Sequence, residues 1–341
     1  MIPKSGNRFR IRSCVNKAAS ATRADRLSFT PGQCTASRSV RTGRKQHMKI
    51  GIAGLGRMAA AIGARLIDQG HTLMVWNRTP EKTTPLAAMG AKVAGSPAEV
   101  AGASDVIITI LTDAAAIDAV YGGGNGLLSG NVAGKLFIDM STVRPETEVA
   151  LAKRVREKGA ALVDCPVGGS VVPARDGKLF GFMGAEPADA ERAKPVLDQL
   201  CRRLEHCGPV GSGALMKLAI NLPLIVAWQS FGEAFALCRD LGFTPERLVD
   251  IFADTNGANN AFRGRASKIA TIMTGGDAGE VTFSLANAQK DARTMAEEGK
   301  ARGLELPLIE RSIACFGEAI AAGWGVADGS SQPVYWAKRG K

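Results

Sequence analysis

Histidine is nearly missing from this sequence: His47, His71 and His206 are the only three in 341 residues. A three-histidine metal site or a histidine-based triad therefore has almost no material. The seven cysteines include no C-x-x-C pair; Cys14 and Cys34 lie near the N-terminus, and Cys165, Cys201, Cys207, Cys238 and Cys315 are scattered beyond. That spacing argues against a zinc site or a disulfide framework, and no metal is expected. A long uninterrupted apolar run is also lacking. The most apolar stretch, Ala214 to Cys238, is broken by Lys217, Asn221, Gln229 and Glu233, which reads as too polar for a bilayer core. Acids are almost absent from residues 1–47, which carry eleven Lys or Arg against Asp25 alone, whereas residues 48–341 carry 32 basic and 31 acidic side chains. Of the net charge of +11, the leader thus carries +10. The body is nearly neutral, so neither a nucleic-acid nor a membrane partner is expected.

The leader is rich in Arg, Ser and Thr and lacks the apolar segment of a secretory signal. It reads as a disordered basic stretch outside the fold, with Met48 as the natural start of a cytoplasmic protein. A mitochondrial or plastid transit peptide is the alternative.

From residue 48 onward the pattern alternates. Strands are expected at Ile50 to Gly54, Thr72 to Trp76, Ser104 to Ile110, Leu136 to Asp139, Ala161 to Asp164, Leu179 to Met183 and Arg203 to His206. An alanine-rich helix runs from the glycine loop to about Gln69, with Gly70 closing it, and Pro85 to Met89 suits a short helix. Strand alternating with helix predicts a parallel sheet. After Gly211-Ser212-Gly213 only helices are expected: Ala214 to Leu241, Glu246 to Phe252, Ala261 to Met273, Leu285 to Lys300 and Leu308 to Ala322. The fold class is α/β: a Rossmann-like dinucleotide-binding domain at 48–210 followed by an all-α domain at 211–335 for substrate binding and dimerisation.

The stretch Gly54-Leu55-Gly56-Arg57-Met58-Ala59 follows a strand and opens a helix. In that context G-x-G-x-x-A is a dinucleotide fingerprint: Gly54 allows the tight turn, and Gly56 lets the backbone approach a pyrophosphate. At the end of the second strand, where an acid usually holds the ribose of NAD, the chain has Asn77-Arg78-Thr79. Arg78 can stack on adenine and pair with a 2′-phosphate, with Asn77 and Thr79 adding neutral hydrogen bonds, so NADPH is expected as the preferred cofactor and NAD as a possible one.

Carbonyl reduction also needs a group that protonates the developing alkoxide, and with so little histidine a lysine is the candidate. Lys217 is the only charge between Ala214 and Trp228, and Asn221, four residues on, shares its helical face. Desolvation and a second cation such as Lys290 would lower the lysine pKa toward neutrality. His71 and His206 are expected at turns, Cys165 as a buried small hydrophobe, Trp324 and Trp336 in packing, and Arg175 and Asp176 in a turn.

Together these motifs resemble the β-hydroxyacid dehydrogenase family, from residue 48 essentially to the C-terminus. The residues are GIAGLGRMAAAIG with VWNRT; Asp139-Met140-Ser141-Thr142; Asp164-Cys165-Pro166-Val167-Gly168-Gly169-Ser170 leading to Ala174 and Gly177-Lys178-Leu179; Gly211-Ser212-Gly213 through Lys217 to Asn221; and Phe283 with Lys290-Asp291. The resemblance implies Lys217 and Asn221 as catalytic residues. It implies cofactor contacts from Thr142 and Lys290 beside the glycine loop, and substrate contacts from Ser141, Gly168, Gly169, Ser170, Phe283 and Asp291. VWNRT, DMSTV and G-S-x-x-P-A look most like the NADPH-dependent glyoxylate and succinic semialdehyde reductase branch. Departures are Gly168, where the family has Ser; Ile220, in place of the first of two asparagines; and Pro223, expected to kink the helix. The expectation is an NADPH-dependent reductase of a small aldehyde or keto acid such as glyoxylate, succinic semialdehyde or tartronate semialdehyde. It would act on a carboxylate-bearing substrate as a homo-dimer or homo-tetramer. The alternatives are an NAD-dependent 3-hydroxy acid dehydrogenase of the 3-hydroxyisobutyrate type and a non-catalytic nucleotide-binding module.

Overall fold

The structure, a computed structural model, describes residues 47–339, so the expectation of a disordered leader at 1–47 lies, His47 aside, outside the described residues. The first half alternates as β1 (Lys49–Ala53), α1 (Arg57–Asp68), β2 (Thr72–Trp76), α2 (Thr84–Ala88), β3 (Lys92–Val93), α3 (Pro97–Ala103), β4 (Val106–Thr109) and α4 (Ala114–Gly122). It continues through β5 (Leu136–Asp139), α5 (Pro145–Glu157), β6 (Ala161–Asp164), β7 (Val167–Gly168), α6 (Val171–Arg175), β8 (Leu179–Gly184), α7 (Pro187–Leu200) and β9 (Cys201–Gly208). The second half is α8 (Ser212–Leu237), α9 (Pro245–Ala253), α10 (Asn260–Arg263), α11 (Ala266–Met273), α12 (Leu285–Ala301), α13 (Pro307–Ala319) and α14 (Ser331–Lys338).

The sheet runs β3-β2-β1-β4-β5-β6-β8-β7, with β9 paired to β8. Strands β1 to β6 are parallel, and β4, β5 and β6 are buried at every position, as strands covered on both faces must be. The expectation of a wholly parallel sheet fails at one edge: β8 runs antiparallel to β6 and β7. The chain turns back there through the short β7–α6 segment, so β8 enters from the opposite end. One apolar layer, including Ile62 and Leu66 of α1 and Val196 and Leu197 of α7, covers one face; another, including Val100, Tyr121, Leu151 and Val155, covers the other.

The expected helix Ala261 to Met273 is instead two, α10 and α11, separated at Gly264 and Arg265. The helix from Ala214 stops at Leu237, with a single 3₁₀ turn over Arg239–Leu241. The last long helix gives way after Ala319 to a π turn over Ile320–Trp324, and the helical course ends at Gly323, which adopts φ 90°. Helix α8 continues through Pro223 without interruption. By length and composition α8 is apolar enough to cross a membrane, contrary to the sequence expectation. In the fold it is the central helix of the second core, where Leu218, Ile225, Trp228, Phe231 and Phe235 are buried. It packs against α12, α13 and α14 on one side and against β8 and α5 on the other, joining the halves into one compact unit.

Candidate active site

The glycine loop leaves the C-terminal end of β1. Gly54 has φ +95°, and a Cβ there would stand 2.6 Å from Leu111 Cδ2 and 2.9 Å from the Ile110 carbonyl oxygen. Only glycine lets β1 end so close to the loop after β4. Gly56 caps α1, its would-be Cβ meets nothing within 4 Å, and the first turn carries no acid. An open, positively polarised helix end with room for close backbone approach fits a dinucleotide pyrophosphate.

Leu55 N donates to Asn77 Oδ1 at 2.8 Å, and Asn77 Nδ2 donates to the Thr79 carbonyl at 2.9 Å. Asn77 therefore ties the glycine loop to the turn after β2, a positioning role beyond the ligand contact expected of it. Arg78 and Thr79 are exposed, and Arg78 makes no ion pair or hydrogen bond among the described residues. Met58 packs against the sheet core, while Arg57 is exposed and lies 3.4 Å from Glu280 of the helical half.

Polar side chains gather at the C-terminal ends of β4, β5 and β6, where ligands of parallel sheets bind. Thr109 donates to Asp139 Oδ2 at 2.5 Å, which leaves the Tyr121 hydroxyl to donate to Thr109 at 2.8 Å. Asp139 Oδ1 accepts the Ser141 backbone N–H at 2.8 Å, and Ser141 Oγ accepts Leu111 N at 2.9 Å. Ser141 thus fastens the loop after β4 to the loop after β5. Burial pushes the Asp139 carboxyl up, against the hydrogen bonds from Thr109 and Ser141.

Asp164, at the end of β6, accepts Gly211 N at 2.7 Å and Ala214 N at 2.8 Å and so caps the N-terminus of α8. A side chain on Gly213 would run into Asp164 and the Phe182 carbonyl, so this glycine sets the close approach of helix to sheet. Burial raises Asp164 to about 7, with the two backbone donors opposing and Asp139 adding to the rise.

One turn along α8 from this cap stands Lys217, half-buried and without a hydrogen bond or ion pair among the described residues. Burial lowers its pKa; Asp291 opposes that and Lys290 reinforces it. Asn221, half-buried, is one turn further. From α12, Lys290 Nζ reaches Asp291 Oδ1 at 2.6 Å and the Thr142 carbonyl at 2.9 Å. Lys217, Lys290, Asp291 and the Ser141-Thr142 turn are therefore brought together across the two halves.

The other expected substrate residues are not joined to Lys217 by any hydrogen bond among the described residues. Gly168 lies in β7, and a Cβ there would meet Phe182 only at an ordinary 3.6 Å, so the backbone does not demand glycine and the lost serine hydroxyl is a chemical change. Gly169 adopts φ +130°, and Ser170 precedes α6 without a side-chain cap bond. Phe283 is half-buried against the helical core, and its carbonyl accepts Gly329 N at 2.7 Å. His71 Nδ1 accepts Met48 N at 3.2 Å, and His206 Nε2 donates to the Ala185 carbonyl at 2.8 Å, so both histidines serve structure. Cys165 is fully buried.

Asp328 carries no motif that marks it in the sequence. Its carboxylate receives Arg265 at 2.6 Å, Ser330 N at 3.0 Å and Thr282 N at 2.9 Å, fixing the segment that leads to Phe283. Burial alone would raise this carboxyl, but the Ser330 and Thr282 hydrogen bonds and the Arg265 charge outweigh it and hold it well below the usual carboxylate range. Its stabilisation is thus present above the unfolded carboxylate pKa, about 4, and is lost as pH falls through the lower folded value. Asp328→Asn is expected to cost about 2–3 kcal/mol at pH 7 and almost nothing at the acid limit, measured by urea unfolding across pH.

Residues 49–208 match the family model of the NAD binding domain of 6-phosphogluconate dehydrogenase. Residues 211–334 match that described as the NAD-binding of NADP-dependent 3-hydroxyisobutyrate dehydrogenase. The chain is 32% identical over 292 residues to 2-(hydroxymethyl)glutarate dehydrogenase of Eubacterium barkeri, covering 86% of this chain and 96% of that protein. It is 33% identical over 285 residues to glyoxylate/succinic semialdehyde reductase 1 of Arabidopsis thaliana, covering 83% and 96%. Among solved structures, Mycobacterium tuberculosis 3-hydroxyisobutyrate dehydrogenase with L-serine is similar at TM-score 0.73 and 26% identity, over 84% of this chain and 98% of that one. A nucleotide-fitting glycine loop, a lysine on the joining helix that is unpaired among the described residues, and kinship over more than four-fifths of the chain all agree: the chain belongs to the β-hydroxyacid dehydrogenase family of NAD(P)-dependent oxidoreductases.

Proposed function

We propose that the protein is an NADPH-dependent reductase that converts a small aldehyde or keto acid, of the glyoxylate, succinic semialdehyde or tartronate semialdehyde class, to the hydroxy acid. The observation that carries this reading is Lys217: half-buried, unpaired among the described residues, and held at its depth by the Asp164 cap. A bound nicotinamide dinucleotide supplies the hydride. Lys217 Nζ gives its proton to the carbonyl oxygen as charge develops there, a role suited to an ammonium whose pKa burial has lowered. Asn221 orients that oxygen, and the Lys290–Asp291 pair keeps the Thr142 backbone against the helical half.

Arg78 supports the NADPH preference, since an exposed guanidinium without a partner among the described residues is available to a 2′-phosphate. The Arabidopsis relative, named a glyoxylate/succinic semialdehyde reductase, supports the substrate class. The reading extends to a cytoplasmic homo-dimer or homo-tetramer, for which α8 leaves Met216 and Ile220 exposed. The test is initial-rate spectrophotometry at 340 nm, with NADPH and NADH in parallel against short semialdehydes and keto acids. NADPH oxidation with one preferred substrate is expected. Turnover confined to NAD with 3-hydroxyisobutyrate would replace this reading with the dehydrogenase alternative.

A further inference from the structure

Glu148, on α5 behind the Ser141-Thr142 turn, is 0% exposed, and neither of its carboxyl oxygens has a hydrogen-bond partner of ordinary geometry among the described residues. The ionisable groups around it are Asp139 at the end of β5, Asp164 at the end of β6 and Tyr121 on α4. Arg154, further along α5, acts on Tyr121 but is paired with Asp118 at 2.5 Å. No cation is paired with Glu148 among the described residues. A carboxylate in such a place would be desolvated and repelled by two acids with nothing to offset either cost.

The two facing acids differ in what serves them. Asp139 receives the Thr109 hydroxyl and the Ser141 backbone N–H, donors that favour an ionised acceptor, whereas Glu148 receives none among the described residues. A proton shared by the pair therefore rests on Glu148. We propose that Glu148 is a positioning residue: as a neutral carboxylic acid it donates a hydrogen bond to Asp139 and keeps that carboxylate aimed at Thr109 and Ser141. Asp139 in turn shapes the turn whose Thr142 carbonyl receives Lys290 and whose Ser141 hydroxyl holds Leu111 N. Burial and repulsion from Asp139 and Asp164 both push the Glu148 carboxyl well up, in agreement with this assignment. The catalytic consequence rests on the proposed reading of the Ser141-Thr142 turn as facing cofactor and substrate; the protonation state does not.

The test compares the full-length wild type with Glu148→Gln, which keeps a donor but cannot ionise, and Glu148→Leu, which keeps the volume but removes the donor. Folding of the wild type takes up a proton at Glu148 once pH exceeds the unfolded value of about 4.3, so its stability falls with rising pH relative to the Gln variant. In urea unfolding the ratio of the two unfolding constants is expected to change by up to about tenfold per pH unit above pH 5, levelling at the folded pKa. A ratio independent of pH would overturn the proposal, whatever the enzyme's substrate. In steady-state assays the Gln variant is expected to keep kcat/KM within about twofold, while the Leu variant loses roughly tenfold. A Leu variant as active as wild type would overturn the positioning role. If no substrate in the panel turns over, NADPH affinity of the three proteins by fluorescence titration replaces kcat/KM. A failure of the reductase reading is thereby kept apart from a failure of this proposal.

Discussion

Lys217→Ala is expected to lower kcat for carbonyl reduction by about 10²–10⁴-fold, the range of a lost general acid, while NADPH affinity changes less than about threefold. The split follows from placement. Lys217 stands on α8, a turn beyond the Asp164 cap, whereas the open end of α1 and the Asn77 tether belong to the other half of the chain. Folding is not expected to suffer. A lysine whose pKa burial lowers is held in the fold at the expense of its charged form, and that cost is full below the lowered pKa and fades as pH rises from it toward the unfolded value of about 10.4. Removing it therefore leaves stability equal or higher, as is common for catalytic groups. In the wild type, reduction should slow as pH rises through the same lowered pKa, because the acid form carries the step; the Ala variant should lose that limb of the profile. An Ala variant with unchanged kcat would remove Lys217 from the chemistry.

Arg78→Asp should raise the Kd for NADPH by about 10²-fold and leave that for NADH within a few-fold, measured by titration of intrinsic fluorescence. Charge-assisted hydrogen bonds to an ionised group contribute roughly 1.5–3 kcal/mol, and an aspartate in that place adds repulsion of the 2′-phosphate. Every 1.4 kcal/mol is a factor of ten. Arg78 is exposed and has no protein partner among the described residues, so its loss should not disturb the fold and the selectivity change can be read directly. Equal weakening of both cofactors would mean that Arg78 serves the shared adenine and not the 2′-phosphate. The NADPH preference would then need another carrier.

Much of this protein is written locally. Strand β2 has the bounds the sequence predicts, as do β5 and β6, because short apolar runs between turn residues leave few alternatives. The glycine loop is legible for the same reason: Gly54 takes a positive φ, and the helix that follows opens with an acid-free first turn. Lys217 stands out as a lone charge in an apolar helix before any contact is known.

What the tertiary structure decided is the pairing and protonation of residues far apart in the chain. Lys290 meets Thr142 across 148 residues, and Asp164 caps a helix whose N-cap residue, Gly211, lies 47 residues later. Neither partner bears a local mark of the other. Glu148 reads as an ordinary first-turn acid that favours the helix dipole, yet the sheet buries it beside two more carboxyls. The antiparallel β8 likewise depends on where the β7–α6 segment returns the chain, not on the composition of β8 itself. Secondary structure follows from backbone preference and periodicity over a few neighbours. A pKa or a cap follows from the dielectric and the partners that distant crossings bring to one place.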